Sequence, residues 1–299
     1  MKLISQTLAS IVAALALSVL TTADEPGRSG ATVEQQTAAA AAQTRAAHAG
    51  IRSQLATSSC AFTFTSGTNG SFVKYCVTAN GNITQLEMPQ FHEHLAAGAF
   101  GEGYGICDAT AGAEYFDYAD FGDSANWGPA TLVTQSATLV KIARTTADGA
   151  WTLTQNITMV AATSPAVKVA MALRNNTTAD RVAFLMRYAD VDANSSFVNS
   201  FGATSNSGFG WDPTAFANIG LRGNFGVNLV ADALPQQHSP DLGPQGFTQS
   251  TPAGPVPCNP YAQMFAGLNR AADGSVVAIY ELGVPKKGSK SVTMNYKGM

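Results

Sequence analysis

Short runs in which apolar and polar residues alternate make up most of the chain after Cys60. In residues 151–161 and 166–175, large apolar side chains occupy every second position, the period of a strand with one buried face. Further strands are predicted at residues 72–78, 82–88, 130–136, 138–145, 182–189, 225–229, 275–282 and 290–296. Many short strands without helices between them predict an all-β fold, a large antiparallel β-sandwich.

The pattern of apolar and polar residues at the N-terminus differs from that in the rest of the chain. Residues 1–23 contain one Lys, a long apolar stretch and then small residues, which is typical of a signal peptide cleaved after Ala23. A membrane anchor is the alternative, but polar residues shorten the apolar stretch. Residues 24–59 are rich in Ala and Gln, which predicts a short helical or flexible segment before a β-sandwich domain at 60–299. We therefore expect a secreted or periplasmic protein without a stable membrane span after signal removal.

The chain contains four cysteines, an even number that indicates disulfide bonds in an exported protein. Three pairings are conceivable. Cys60 and Cys76 flank a predicted hairpin, which favours a Cys60–Cys76 bridge and leaves Cys107 to pair with Cys258. A zinc site is the competing interpretation, but the sequence has no C-x-x-C pair.

The amino-acid composition and net charge limit the kinds of molecule that the protein is expected to bind. Lys and Arg number 17 against 20 Asp and Glu, giving a net charge of -3, so no strongly basic surface is available for nucleic acid. Charged residues make up 12% and hydrophobic residues 45%, a profile typical of secreted β-rich proteins. Residues 194–260 are rich in Gly, Pro, Asn and Ser, which predicts that much of this stretch is surface loop.

A polar motif follows the predicted strand 182–189. Asp190, Asp192 and Asn194 have the D-x-D-x-N spacing that gathers oxygen ligands around a hard cation such as calcium. The Gly at position six and the Glu at position twelve of an EF-hand are missing, so the motif predicts a shorter calcium loop completed by other residues. The alternative is that Asp190 and Asn194 cap a turn while Arg187 pairs with a carboxylate.

Carboxylates near aromatic residues suggest carbohydrate chemistry. Cleavage of a glycosidic bond uses two carboxyl groups across a cleft, and the candidate catalytic residues are Glu102, Asp190 and Asp212. Aromatic rings in turn-rich segments can stack on sugar faces. The candidate substrate-binding residues are Tyr104, Trp127, Arg187 and Trp211. For each ring, packing in the core is the alternative.

A second kind of chemistry is suggested by two histidines. His92 and His94 would lie on one face of an extended segment, and His238 could complete a three-histidine zinc site. This set of ligands would suit a metal-dependent hydrolase. Solvent-exposed or hydrogen-bonded histidines are the alternative interpretation.

Three segments carry a resemblance to known proteins. Residues 76–83, 102–107 and 185–192 resemble those of exported bacterial proteins without an assigned activity, over about 60–299. The strands that end in the Arg-Tyr-Ala-Asp-Val-Asp segment also resemble the large sandwich of galactose-mutarotase-like carbohydrate proteins. The acid and histidine pair of mutarotases has no matching positions here, so the resemblance implies a fold and assigns no catalytic residue.

Together, these patterns indicate an exported β-sandwich protein that binds or modifies carbohydrate, with polysaccharide or a cell-envelope glycan as partner and calcium as the expected ion. A structural or adhesive surface protein without catalysis fits the low charge and the Thr/Asn-rich strands equally well. The metal-dependent hydrolase is the third hypothesis.

Overall fold

The computed structural model describes residues 60–95, 102–119, 122–163, 165–196, 199–204, 207–212, 218–224, 257–258 and 275–298. These residues form an all-β fold, as the alternation predicts. The predicted signal peptide, the Ala/Gln-rich segment and the predicted strand 225–229 lie outside the described residues. No helix in the described ranges is long and apolar enough to cross a bilayer.

Sixteen strands are found in the described residues. They are β1 (Phe62–Ser66), β2 (Val73–Val77), β3 (Ile83–Glu87), β4 (Glu102–Asp108), β5 (Ala113–Tyr118), β6 (Gly122–Asp123), β7 (Thr131–Gln135), β8 (Leu139–Thr145), β9 (Trp151–Val160), β10 (Ala166–Asn175), β11 (Arg181–Asp190), β12 (Ser200–Thr204), β13 (Ser207–Trp211), β14 (Asn218–Asn224), β15 (Ser275–Val284) and β16 (Ser289–Gly298). Two short 3-10 turns, Asn69–Ser71 and Ala193–Ser195, accompany them.

The strands form three antiparallel sheets. An eight-stranded sheet has the order β12-β13-β14-β16-β10-β9-β8-β7, and a five-stranded sheet has the order β15-β11-β4-β5-β6. A three-stranded sheet, β1-β2-β3, joins their common core through its buried side chains. This arrangement is the sandwich that the sequence predicts.

Neighbouring strands β9 and β10 show how the core is built. Leu153 stands opposite Leu173, and Ile157 stands opposite Val169, so both strands turn their apolar faces inward. These side chains pack in one cluster with residues of β4, β11 and β15. Burial of such a side chain stabilises a fold by about 1.5–3 kcal/mol, so the alternating pattern largely fixes which face is internal.

The predicted disulfides are confirmed. Cys60 and Cys76 are bridged with a Cα–Cα distance of 5.5 Å, and Cys107 and Cys258 are bridged at 4.7 Å. The second bridge closes a separation of 151 residues. Chain-entropy arguments give a loop of this length a stabilisation of roughly 4–5 kcal/mol.

The structure of residues 102–118 differs from the sequence prediction. They were expected to be turn-rich and to carry loop aromatics, but they form β4 and β5, with every residue of β4 buried. Gly103 is needed because a Cβ there would collide with the carbonyl oxygen of Asp117 on β5. At Gly105 a Cβ would lie 2.6 Å from Pro257. Glycine is required at these two positions because other backbone and side-chain atoms of the protein pack closely against them, and neither position lies in a turn.

A second correction concerns the stretch predicted to be mostly loop. Strands β12, β13 and β14 lie within residues 200–224 and extend the eight-stranded sheet beyond β16. Their sequences are rich in Gly, Ser and Asn, with few of the β-branched residues that indicate strands. Pairing with a neighbouring strand therefore outweighs weak local propensity here.

Candidate functional site

Most of the residues predicted to carry function lie in two groups of polar side chains, each of which also contains residues that the sequence did not single out. The first lies inside the sandwich and is called here the core polar network; its side chains are Glu102, Tyr104, Asp117, Asp123, Arg144, Gln155, Arg187 and Tyr296. The second lies where the segment before β4 meets the turn after β11. It is called the His92 cluster and consists of His92, Glu93, His94, Asn194 and Asp212.

A buried ion pair forms one half of the core polar network. Arg187 on β11 pairs with Glu102 on β4, and neither side chain is exposed to solvent. The carboxylate of Glu102 also accepts hydrogen bonds from the Tyr296 hydroxyl and, at 2.7 Å, from the Ile83 N–H. Burial raises the pKa of Glu102, while Arg187 and these two donors oppose the shift. The predicted catalytic Glu102 is therefore held between the sheets by the protein's own groups.

The hairpin turn between β2 and β3 supplies further partners to this network. The Gly81 carbonyl accepts a hydrogen bond from Arg187 Nη2 at 3.2 Å, and the Asn80 carbonyl accepts one from the Tyr104 hydroxyl at 2.8 Å. Gly81 has φ 94°, and a Cβ there would lie 2.5 Å from Gln155 Nε2. The Asn-Gly turn thus combines a positive φ with close approach to buried polar side chains.

One arginine serves two carboxylates in the other half of the network. Arg144 on β8 pairs with Asp117 and, at 3.0 Å, with Asp123. Asn80 Nδ2 donates to Asp117 Oδ2 at 2.9 Å, while no hydrogen-bond partner of Asp117 Oδ1 is found among the described residues. Desolvation raises the pKa of Asp117 to about 7, with Arg144 opposing and Asp123 reinforcing the shift. A proton on Asp117 would neutralise the excess negative charge of this group.

The predicted substrate-binding residues Tyr104, Trp127 and Arg187 are all buried. The rings of Tyr104 and Trp127 meet edge to face with centroids 5.6 Å apart, and the Arg144 guanidinium lies 5.2 Å from the Trp127 ring centroid. Arg187 lies 5.9 Å from the Tyr104 ring centroid. Such contacts stabilise the packing between sheets and leave no face of these groups exposed for a sugar.

The His92 cluster brings together two motifs that are about a hundred residues apart in sequence. Asn194 Oδ1 is 2.6 Å from His92 Nδ1, and Asn194 Nδ2 donates to Asp212 Oδ2 at 3.2 Å. Because an amide oxygen only accepts hydrogen bonds, His92 Nδ1 is the protonated nitrogen. His92 is half-buried, and in the neutral form of this tautomer the Nε2 atom accepts hydrogen bonds.

His94 and Glu93 support this arrangement from behind. His94 Nε2 donates to the Met88 carbonyl at 2.6 Å, and His94 Nδ1 accepts from the Asn194 N–H at 3.3 Å. Burial lowers the pKa of His94, in keeping with a neutral ring that uses both nitrogens. Glu93 accepts the Leu86 N–H at 2.6 Å and has a pKa raised by burial. Both residues fix the loop backbone.

Unusual backbone conformations concentrate at the same place. Phe91, Asn194 and Ser195 have φ values of 72°, 60° and 61°, in the left-handed region that favours glycine. Asn is the residue best suited to this region after Gly, whereas an aromatic residue there is strained. The backbone hydrogen bond from Ser195 N–H to the Glu93 carbonyl, 3.0 Å long, holds the two loops together. Strain of this kind is often stored at binding sites.

The remaining candidate residues flank the cluster. Asp190 ends β11 and is buried, Asp192 precedes the 3-10 turn, and the Asp192 N–H donates to the His94 carbonyl at 3.0 Å. Trp211 ends β13, is half-buried and lies 5.6 Å from the Phe209 ring. Among the described residues, no group of three or more His, Cys, Asp and Glu side chains is arranged to hold a metal ion. Calcium at Asp190, Asp192 and Asn194 stays a prediction, and His238 lies outside the described residues.

Several functional-looking residues were missed by the sequence interpretation. Gln155, Arg144 and Asp117 each occupy an inward position of a strand whose other inward residues are apolar. A polar residue in the apolar register was the available signal, because burial without a partner costs free energy. Phe91 was also missed: its ring is 84% exposed, and nothing in the local sequence indicates its left-handed backbone.

No protein-family model matches this chain, and no curated protein is found to be similar to it. Similar solved structures include a bacterial glucoamylase complexed with acarbose, at 11% identity and a TM-score of 0.48, covering 82% of this chain and 33% of the glucoamylase. The chain thus spans about a third of the length of that enzyme.

Two smaller structures are similar over nearly their full length. A putative aldose 1-epimerase from Escherichia coli K12 has 10% identity and a TM-score of 0.44, covering 80% of this chain and 99% of its own. The Slr1438 protein from Synechocystis sp. PCC 6803 has 9% identity and a TM-score of 0.44, covering 79% of this chain and 95% of its own. These are low-identity likenesses of fold, and they assign no residue role.

Proposed function

We propose that this protein is an exported carbohydrate-binding protein whose ligand site is the His92 cluster. The observation that carries the proposal is the hydrogen-bonded series His92–Asn194–Asp212, in which His92 is half-buried and directly follows the exposed Phe91 in the chain. Sugars present hydroxyl groups at their edges and apolar C–H faces. Oriented polar groups next to an aromatic surface suit both features.

The orientation of His92 supports a role in contacting a ligand. Asn194 holds the imidazole by its Nδ1 atom, so Nε2 is available to accept a hydrogen bond from a sugar hydroxyl. Asp212 in turn fixes the Asn194 amide, which prevents it from flipping. Side chains held in this way lose little conformational entropy when a ligand binds, which favours affinity.

The exposed ring of Phe91 supplies the apolar part of the proposed site. Phe91 directly precedes His92 in the chain, its backbone is left-handed, and its side chain is exposed rather than packed into the core. An aromatic side chain that is 84% exposed and adjacent to polar groups favours stacking on a sugar face. Trp211, which precedes Asp212, offers a second half-buried ring at the edge of the cluster.

Export is proposed on separate grounds. All four cysteines are paired in disulfides, and such bonds persist in oxidising compartments outside the cytosol. Together with the N-terminal signal pattern, this favours a secreted or periplasmic location and a polysaccharide or cell-envelope glycan as partner.

The proposal is tested with a panel of polysaccharides and oligosaccharides. The purified mature protein is incubated with each glycan, and both retention and new products are measured, the latter by mass spectrometry. We expect retention without products for the wild type, and a loss of at least about tenfold in affinity for Phe91→Ala and His92→Gln. Lys168→Ala, at an exposed position on β10, is the control and retains wild-type binding.

The outcomes separate the hypotheses. Retention that is equal in the wild type and in the Phe91→Ala and His92→Gln variants would contradict the proposed site. Products would indicate an enzyme that modifies carbohydrate. Absence of retention and of products would remove the carbohydrate proposal and favour the structural or metal-dependent alternatives.

A further inference from the structure

The dipeptide Asn-Gly occurs twice in the chain, at 69–70 between β1 and β2 and at 80–81 between β2 and β3. An asparagine loses its side-chain amide most readily when glycine follows it. Glycine has no Cβ to obstruct its own backbone nitrogen, which can attack the side-chain carbonyl carbon of the preceding residue. The two copies of the dipeptide lie in opposite surroundings, so they are expected to react at different rates.

The copy at 80–81 is protected by the fold. Asn80 and Gly81 are buried, and Asn80 Nδ2 donates to Asp117 Oδ2 at 2.9 Å. The Gly81 N–H contains the nitrogen that would attack, and it donates to the Thr78 carbonyl at 3.1 Å. Reaction at this turn therefore requires local unfolding first.

The copy at 69–70 lies open at the surface. Asn69 and Gly70 are exposed, and a Cβ built on Gly70 would meet no atom within 4 Å. Among the described residues, neither the Asn69 side chain nor the Gly70 N–H has a hydrogen-bond partner. The side-chain amide and the nitrogen that attacks it are thus held by none of the contacts that protect the other copy.

The backbone of Asn69 also contacts the turn that contains Phe91. The Asn69 carbonyl accepts the Gln90 N–H at 3.2 Å, and the Asn69 N–H donates to Gln90 Oε1 at 3.2 Å. Gln90 belongs to the Pro89–His92 turn, in which the His92 N–H donates to the Pro89 carbonyl at 3.2 Å. A chemical change in the Asn69 backbone therefore acts directly on the residue before Phe91.

We propose that Asn69 deamidates spontaneously in the folded protein and that its isoaspartate product releases the Pro89–His92 turn. The Gly70 nitrogen bonds to Cγ of Asn69 while the Cγ–Nδ2 bond breaks, and Nδ2 leaves as ammonia with the proton that the Gly70 nitrogen loses. The product is a cyclic succinimide. Water then opens the ring. Cleavage between the nitrogen and Cγ gives aspartate, whereas cleavage between the nitrogen and the main-chain carbonyl carbon gives isoaspartate.

The two products differ in their backbones. Aspartate leaves the main-chain carbonyl of residue 69 in place and adds a negative charge at an exposed position. Isoaspartate carries the chain through Cβ and Cγ, so the backbone is one atom longer and the former main-chain carbonyl becomes part of a carboxylate. The acceptor of the Gln90 N–H is thereby displaced. The proposal concerns the position of Phe91 and is independent of what the His92 cluster binds.

The first test is peptide mapping by mass spectrometry of the folded mature protein after incubation in mildly alkaline buffer at physiological temperature. Asn69 should convert to aspartate and isoaspartate at least about tenfold faster than Asn80. In guanidinium with the disulfides reduced, the two asparagines should react at similar rates, because the protection of Asn80 comes from the fold.

Gly70→Ala is the matched control for this reaction. The added Cβ has open space, and Gly70 does not have a left-handed backbone, so the variant should fold as the wild type does. The Cβ obstructs the attacking nitrogen, so the reaction at Asn69 should be at least about tenfold slower. An Asn69 that reacts no faster than Asn80 in the folded protein would overturn the modification site. A Gly70→Ala variant that reacts as fast as the wild type would do the same.

The second test follows the backbone amides of Gln90 and Phe91 by NMR. The isoaspartate form, separated by ion exchange, should show shifted signals for both residues. Asn69→Asp should keep both signals near their wild-type positions, because Asp also tolerates the left-handed backbone at residue 69, where φ is 51°. Unshifted signals in the isoaspartate form, or equal shifts in Asn69→Asp, would overturn release of the turn by the altered backbone.

Discussion

The core polar network and the His92 cluster contain similar chemical groups in different surroundings. In the network, Arg187 and Glu102 are fully buried, and their partners are side chains and a hairpin turn of the same protein. In the cluster, His92 is half-buried and Phe91 is 84% exposed. The network connects the sheets, whereas part of the cluster remains open to solvent.

The number of charges and hydrogen bonds in a group of polar residues is therefore a poor guide to whether that group binds a ligand. Arg187 and Glu102 are oppositely charged candidate site residues, yet their hydrogen-bonding groups are used within the fold. His92 is held through Nδ1 by the single side chain of Asn194 in the part of the chain that the structure describes. We therefore propose that accessibility to solvent distinguishes the stabilising network from the proposed binding site, and the following variants test that distinction.

The largest effect is expected when Arg187 is replaced. Arg187→Met should lower the free energy of unfolding by about 3–5 kcal/mol, because Glu102 is left buried without its counter-ion. Urea unfolding measures the change, with Arg174→Met, at an exposed position on β10, as the control. Adding Glu102→Gln to Arg187→Met should recover part of the loss. A double-mutant cycle in which the two substitutions have additive effects on the free energy of unfolding would show that Arg187 and Glu102 do not stabilise each other.

The second effect concerns Asp117 and pH. The pKa of Asp117 is raised from 3.8 to about 7 in the folded state, so the folded protein binds its proton more tightly than the unfolded chain does. The stability contributed by this group is present below about pH 4 and is lost as the pH rises towards 7. The Asp117→Asn variant should not show this pH-dependent loss in the free energy of unfolding, which is on the order of 2–4 kcal/mol in the wild type.

The measurement is the difference in unfolding free energy between Asp117→Asn and the wild type at several pH values. Using the difference cancels the opposite contribution of His94, whose lowered pKa makes acid destabilising. Asp180→Asn, at an exposed carboxylate, is the control for loss of one negative charge. A difference that is constant over the whole pH range would contradict the raised pKa of Asp117.

A smaller effect is expected at Asn194, whose φ is 60°. Asn194→Gly and Asn194→Ala both remove the side chain between His92 and Asp212, so both should abolish glycan retention. The Ala variant should also be less stable than the Gly variant by about 1 kcal/mol, since a Cβ is disfavoured in the left-handed region. Equal stability would indicate that the backbone strain is absent, and retained binding would contradict the site.

The smallest effect is expected from calcium. If Asp190, Asp192 and Asn194 bind this ion, a calcium concentration of about ten times the dissociation constant should stabilise the protein by about 1 kcal/mol. For a domain of this size that corresponds to a rise of roughly 2–4 °C in melting temperature over a sample with chelator. Asp192→Asn should reduce the rise, and an unchanged melting temperature would remove calcium from the account.

Much of the fold could be predicted because its strands follow simple periodic patterns. The alternation along β9 and β10, the Asn80-Gly81 turn and the spacing of Cys60 and Cys76 are local properties of the sequence. Strands β4 and β12–β14 could not be predicted in this way. The glycines of β4 are required by close contacts that the local sequence does not show, such as Pro257 beside Gly105. Strands β12–β14 contain few of the β-branched residues by which a strand is recognised.

The candidate site was only partly predictable for a similar reason. The sequence identifies His92, Asn194 and Asp212 as polar residues of interest, but no local pattern shows that they meet. His92 and Asn194 are 102 residues apart, and their contact depends on how β11 returns beside the loop that follows β3. In the same way, burial of Tyr104 and Trp127 follows from the pairing of sheets rather than from the residues next to them.

The most direct test of the account is NMR of the labelled mature protein titrated with the glycan that it retains best. We expect chemical-shift changes for the backbone N–H of Phe91 and His92, for the Asn194 amide and for the Trp211 indole. The Nε–H signals of Arg144 and Arg187 should stay unchanged, because their groups are satisfied within the sandwich. Chemical-shift changes at Arg144 and Arg187, with unchanged shifts in the His92 cluster, would contradict the proposed binding site.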